Sequence, residues 1–209
     1  MRLIFAILSM LALAQCATPG TDRRFVAGSA EDAYVVIGIA KAPNIDTPRY
    51  DMLWRMLDER GRFADYDDER SLNVETNSNS IRIRGIPGEF ITARVRPGVY
   101  ALDSVYAIIR DARVNYYADG VVIGPERPAF EVRAGEAIYL GIWQVDLEDT
   151  RAVTRPWRVD VADMRAAVAE IDDLVGDVRI RHTTTRAVPC TPQRLGPISQ
   201  RQICGEAPQ

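Results

Sequence analysis

Short runs rich in β-branched and aromatic residues, each about a strand long and most of them stopped by glycine or proline, recur along this chain from Ala33 onward. Alternation with a period of two gives a strand one buried face, and a helix cannot keep such a stripe on one side. AYVVIGIA at 33–40 is apolar throughout and suits a buried central strand. Ile81 and Ile83 alternate with Arg82 and Arg84 until Gly85 and Pro87, and FITARV at 90–95 meets Arg96-Pro97-Gly98 before VYALDSVYAI at 99–108. Proline fixes φ and glycine tolerates a positive φ, so that tripeptide separates two strands and does not open a helix. Phe130 with Val132, AIYLGIWQV at 137–145, Trp157 with Val159 and Val161, and Val178 with Ile180 and His182 complete the series.

Two stretches need separate treatment. Between Arg49 and Ser71 the alternation of Tyr50, Met52, Trp54 and Met56 competes with a helical reading through Leu53, Met56 and Leu57, and it favours a hairpin turning near Gly61. From Asp163 to Val175, Met164, Val168, Ile171 and Val175 recur at helical spacing, with Asp163 available as N-cap and Gly176 as the stop. One amphipathic helix must lay its apolar stripe on the sheet. The expected fold is a mainly β chain, an Ig/prealbumin-like β-sandwich of about eight or nine strands, with one α-helix in its C-terminal half.

The amino terminus is not part of that sandwich. Arg2 precedes Leu3 to Ala14, apolar but for Ser9, which is a signal-peptide core and shorter than the ~20 residues a bilayer span needs. Two cleavage sites compete. Ala12-Leu13-Ala14 is an A-x-A site placing the cut before Gln15, whereas Leu13-Ala14-Gln15-Cys16 resembles a bacterial lipobox, which would make Cys16 the acylated first residue. The chain has three cysteines, Cys16, Cys190 and Cys204. An odd count in an exported chain calls for an explanation, and a Cys190–Cys204 disulfide with a lipidated Cys16 supplies one. The organisation expected is a signal peptide at 1–15, a flexible tether at 16–32 rich in small and polar residues, the sandwich at 33–185 and an irregular tail at 186–209. A disulfide closing that tail's loop of about fifteen residues would contribute ~3 kcal/mol.

Charge excludes one partner class. The chain carries 26 basic and 29 acidic residues, net −3, and loss of the leader with Arg2 makes it one unit more negative. No basic excess marks a nucleic-acid footprint. The chemistry-bearing motifs are missing too: no Gly-rich phosphate loop, no G-x-S-x-G and no H-E-x-x-H occurs. The single histidine, His182, rules out any two-histidine site, and on a strand rim its ordinary role is a backbone-bonded side chain. Lys41 is the only lysine that could serve as base to Ser78 or Ser80. The acidic run with Asp65, Asp67, Asp68 and Glu69 is flanked by Arg62 and Arg70 and lacks the central glycine of a calcium loop, so it reads as solvated. Neither a cofactor nor a metal is expected.

RPGVYAL at 96–102 and FEVRAGEAIYLG at 130–141 resemble the Pro-Gly-Tyr turn and Gly-Glu strand of uncharacterised bacterial envelope lipoproteins that carry a prealbumin-like or carboxypeptidase-regulatory-like sandwich. The resemblance spans about residues 80–145 and implies fold more than activity. It agrees with a non-catalytic envelope lipoprotein, held in the membrane by its lipid and binding an envelope protein or polysaccharide. With Ala17 after Cys16, the expected site is the outer membrane of a double-membraned bacterium, facing the periplasm. The alternatives are an envelope hydrolase using His182 or a carboxylate pair, and a soluble periplasmic or secreted chain. Tyr116 and Tyr117 are the candidate ligand face. Trp54, Trp143 and Trp157, set within strands, belong more naturally to the core.

Overall fold

The computed structural model describes residues 24–41, 49–65, 70–76, 81–83, 86–110, 115–121, 126–148, 151–189, 193–194 and 200–201. In chain order the elements are β1 (Phe25–Val26), β2 (Ala33–Lys41), β3 (Arg49–Met56), β4 (Ser71–Glu75), β5 (Ile81–Ile83), β6 (Ile86–Val95), β7 (Gly98–Arg110) and β8 (Asn115–Val121). There follow β9 (Glu126–Val132), β10 (Ala137–Glu148), β11 (Arg151–Arg158), α1 (Val161–Ala169), β12 (Leu174–Val175), β13 (Val178–Ile180), β14 (Thr184–Ala187), β15 (Gln193–Arg194) and β16 (Gln200–Arg201).

Twelve of these strands form two six-stranded sheets. In the first, the order is β11-β10-β2-β6-β5, and β13 shares the outer edge of β10 with β11. β13 pairs with Ala137–Tyr139 and β11 with Ile142–Glu148. β2 and β10 run parallel, and β2 is buried along its whole length, as its unbroken apolar run requires. In the second sheet the order is β14-β9-β7-β3-β4, with β8 and β9 dividing the edge of β7. The chain crosses between sheets at Arg96-Pro97-Gly98, where β6 ends in one layer and β7 begins in the other. There the Tyr100 hydroxyl donates to the Arg96 carbonyl at 2.8 Å and closes the corner.

Between the layers the core is filled by large side chains from both. Trp54 meets Trp143 edge to face, ring centroids 5.1 Å apart, and Phe130 lies against Trp54 and stacks on Tyr100. Such pairs each add about 1 kcal/mol beyond the area they bury. A second apolar cluster covers the outer face of the first sheet, where Tyr34, Val36, Tyr139 and Ile142 are roofed by Phe25, Ala167 and Ile171.

The expected mainly β layered architecture and the hairpin after Arg49 are present. β3 and β4 pair antiparallel, Leu57 bridges Phe63, and Gly61 takes φ 72° in the turn. The Asp58 carboxylate fixes that turn by accepting from the amides of Arg60 and Arg62. Four expectations are corrected. The strand number exceeds eight or nine because short strands such as β1, β12 and β14 carry too few residues for a periodic signal. The helix spans Val161–Ala169 rather than 163–175, since Asp160, not Asp163, is the N-cap, accepting from the amides of Ala162 and Asp163. Val161 therefore opens the helix instead of extending a strand, and Val175 belongs to β12, which pairs parallel with β1. The segment read as tether is docked from Arg24 onward, Phe25 being buried. The tail beyond 186 is not wholly irregular either: Ala187 ends β14, Val188 is buried, and β15 pairs with β16.

Candidate functional site

Cys16, Cys190, Cys204, Ser78, Ser80 and the acidic residues Asp67, Asp68 and Glu69 lie outside the described residues. Tyr116 and Tyr117 occupy adjacent positions of β8, opposite Ile109 and Ile108 of β7. Trp54 and Trp143 are core residues, and Trp157 packs half-buried in the roofed cluster of the first sheet. Lys41 ends β2 almost fully buried, where burial lowers its pKa and the nearby Glu89 charge opposes that shift. His182 follows β13, outside any strand, and is exposed.

The outer face of the second sheet is where ionisable groups gather. Arg55 of β3, Asp103 of β7 and Arg127 of β9 are all nearly inaccessible there. Asp103 sits where the β3–β7 register shifts, an extra residue between Leu102 and Ser104 that re-aims a side chain. Its carboxylate lies 3.5 Å from the Arg55 guanidinium. Arg127 donates to the carbonyls of Leu102 and Asp103 at 3.1 and 2.8 Å, and Arg55 donates to the Ala64 carbonyl. Both guanidinium groups stand 5.3 Å from the centre of the Phe63 ring, carried there by the hairpin tip. Burial lowers the pKa of both arginines and Asp103 opposes it, so both stay cationic. The sequence signal for this cluster was Asp103 inside the apolar run VYALDSVYAI, a charge that a buried strand can hold only with a partner.

Further along the same sheet Asp51 stands directly opposite Glu75, a cross-strand pair with Cβ atoms about 5 Å apart. Burial, with the Glu75 charge adding to it, pushes the Asp51 carboxyl up to about 6, while Asn73 and Arg49 pull the other way. Arg49 is engaged with Glu75 at 2.8 Å. Asp51 and Glu75 are thus a carboxylate pair on a sheet face, and His182 is not among the groups acting on Asp51.

Among the described residues β14 forms one edge of this sheet, opposite the edge formed by β4. It pairs with β9, Thr184 facing Ala129 and Arg186 facing Arg127, and all four of its residues are exposed. Beside it a surface depression of about 300 Å³ has Val99 and Ala129 in its floor and Glu131, His182, Thr184 and Arg186 around it. Arg181 borders it too, with its guanidinium 3.2 Å from both Glu136 carboxylate oxygens. Among the described residues no three His, Cys, Asp or Glu side chains converge as a metal site, and no helix is long and apolar enough to cross a membrane.

Fold and surface together define a two-layer β-sandwich with a filled interior, a first sheet whose outer face is roofed by apolar side chains, and a second whose outer face holds a buried charged cluster beneath Phe63. No family model, curated protein or solved structure matches the chain.

Proposed function

We propose that the protein is a non-catalytic cell-envelope lipoprotein of prealbumin-like type, anchored at the outer membrane through Cys16 and binding an envelope partner with its sandwich. The observation that carries this reading is the use made of space and charge: Trp54, Trp143, Phe130 and Tyr100 fill the interior, and the Arg55–Asp103–Arg127 cluster is committed to contacts within the chain. The surface depressions described hold about 280 to 450 Å³, the largest of them beside Phe90 and Ile171. Equal spacing supports the tail disulfide: Cys190 precedes Gln193 by as many residues as Cys204 follows its ladder partner Arg201.

Mass spectrometry of the chain from native membranes tests the anchoring. A diacylglyceryl mass on Cys16, with the chain two hydrogens lighter than its reduced form, is expected; a soluble chain beginning at Gln15 ends the anchoring proposal. Photo-cross-linking in intact cells, with the reactive side chain placed at Val26, Val161, His182, Thr185 and Arg186 in turn, tests the binding role. Discrete products from some of these positions are expected, and products from none would end it. The second reading, a hydrolase using Asp51 and Glu75, draws on the raised Asp51 carboxyl. It requires Asp51→Asn to abolish the cellular phenotype while leaving the fold intact.

A further inference from the structure

Edge strands of native sheets are shielded by proline, lysine, bulges or overlying chain, because an unpaired row of amides and carbonyls invites another strand. β14 is short and carries one charge, Arg186, but Thr184–Ala187 holds no proline, lysine or bulge, all four residues are exposed, and among the described residues no strand pairs with its outer side. The register says which of its groups face outward. Thr185 is opposite Pro128, which has no N–H to give, so Thr185–Pro128 is the non-bonded pair of the antiparallel alternation. The Thr185 N–H and C=O then point away from β9, toward the open side. Its two neighbours, Thr184 and Arg186, share the outer face with Ala129 and Arg127 and border the depression.

The segment has a charge as well as a shape. From Val178 to Pro189 it contains Arg179, Arg181, His182 and Arg186 and no carboxylate, in a chain whose net charge is negative. Beneath it, the buried Arg127 and Asp103 tie β9 to β7 and hold the edge in place. A free edge gives main-chain affinity, and an adjacent pocket with an apolar floor gives side-chain selection. On its rim Glu131 stands among Arg181, His182 and Arg186, and Arg181 is held by Glu136, so Arg186 is the cation nearest the edge with no carboxylate paired to it among the described residues.

We propose that β14 is a docking edge for an extended, acidic segment of a partner protein, which joins the second sheet as a further strand. The Thr185 amide and carbonyl bind its backbone, one apolar side chain enters the depression over Val99 and Ala129, and an acidic side chain two positions away meets Arg186 and His182. This rests on the reading of the molecule as a binding protein and adds the surface and the partner's chemistry.

The test uses the full mature chain and two synthetic heptapeptides, one alternating valine with aspartate, the other valine with arginine, followed by fluorescence polarisation and amide hydrogen exchange. The aspartate peptide is expected to bind at least about tenfold more tightly than the arginine peptide, as rim charge selects partners, and to protect the Thr185 amide. Thr185→Pro, which removes an outward donor and no bond to β9, abolishes binding with the thermal midpoint unchanged. Arg186→Glu reverses the preference between the peptides. Equal binding of both peptides, binding undiminished in Thr185→Pro, or protection elsewhere would overturn the proposal, as would a dimer of the peptide-free chain that Thr185→Pro dissolves. If cross-linked products arise from positions other than β14 while neither peptide binds, the edge is excluded and the binding role stands; if no position gives a product, both fall.

Discussion

Asp51 illustrates how one side chain's surroundings set a measurable property. Its carboxyl is raised to about 6 because burial and Glu75 both disfavour the charged form. The native state therefore binds this proton more tightly than the unfolded chain. The penalty for ionising Asp51 is absent below about pH 4, grows between pH 4 and 6, and is fully present above that window. Asp51→Asn removes it, so urea unfolding should find the variant more stable by on the order of 2 kcal/mol at pH 7 and equal to the parent near pH 4. A difference that stayed constant across that range would show that Asp51 is not the titrating group. Asp103 is the opposite case, a buried carboxylate between two guanidinium groups. Asp103→Ala leaves those cations without it and should cost about 3–5 kcal/mol in the same measurement, far more than the pair contributes net. A cost below about 1 kcal/mol would mean the cluster has other means of neutralising Arg55 and Arg127.

At the scale of elements, β10 shows why a motif read as a family signature is also a piece of mechanics. Gly141, in the stretch Tyr139-Leu140-Gly141, has φ 82° and lies where the register of β10 against β2 breaks. A Cβ there would stand 2.6 Å from the Arg158 carbonyl oxygen and 2.7 Å from a methyl of Val159. Gly141→Ala should therefore destabilise the fold by about 1–3 kcal/mol, through both the left-handed backbone and the clash, read as a lowered urea midpoint at unchanged slope. The irregularity also lets β10 change partners on one edge, from β13 to β11. β2 and β10 were legible because their apolar runs are long and buried, and β6 because FITARV ends at the Pro97-Gly98 turn. Asp160 was missed as the cap because Asp163, three residues on, fits the same rule; Arg158 pairs with both carboxylates, and the roles are separated by the amides of Ala162 and Asp163, which donate to Asp160. β14 carried no signal at all: Thr184 to Ala187 has no buried face, and it is a strand because β9 offers an edge to pair with.

In the molecule as a whole the two outer faces have different duties, and this division was invisible in the sequence because it depends on which sheet each strand joins. Arg55, Asp103 and Arg127 lie far apart along the chain and meet only when β3, β7 and β9 become neighbours in the second sheet. On the other side, Phe25, α1 and Ile171 close over the first sheet. If Cys16 is the anchor, residues 17–23 are all that separate it from docked chain, a reach of no more than about 30 Å when fully extended. An amino terminus anchored there would meet the sandwich at the first sheet, whereas β14 belongs to the second. Phe25 is the bolt of this arrangement. It is 1 % exposed, its amide donates to the Asp173 carbonyl, and its ring lies 5.2 Å from that of Tyr34, whose hydroxyl reaches the Asp173 carboxylate at 2.7 Å. Phe25→Ala removes the ring from under that roof and should cost about 3 kcal/mol. Because β1 holds only two residues against β12, undocking should follow, and trypsin should cleave after Arg24 faster than in the parent while the core tryptophans keep their native fluorescence. Unchanged cleavage and unchanged stability would mean that the amino-terminal segment is seated by β12 pairing rather than by the aromatic ring, and Tyr34→Phe would then leave both measurements at their parental values as well.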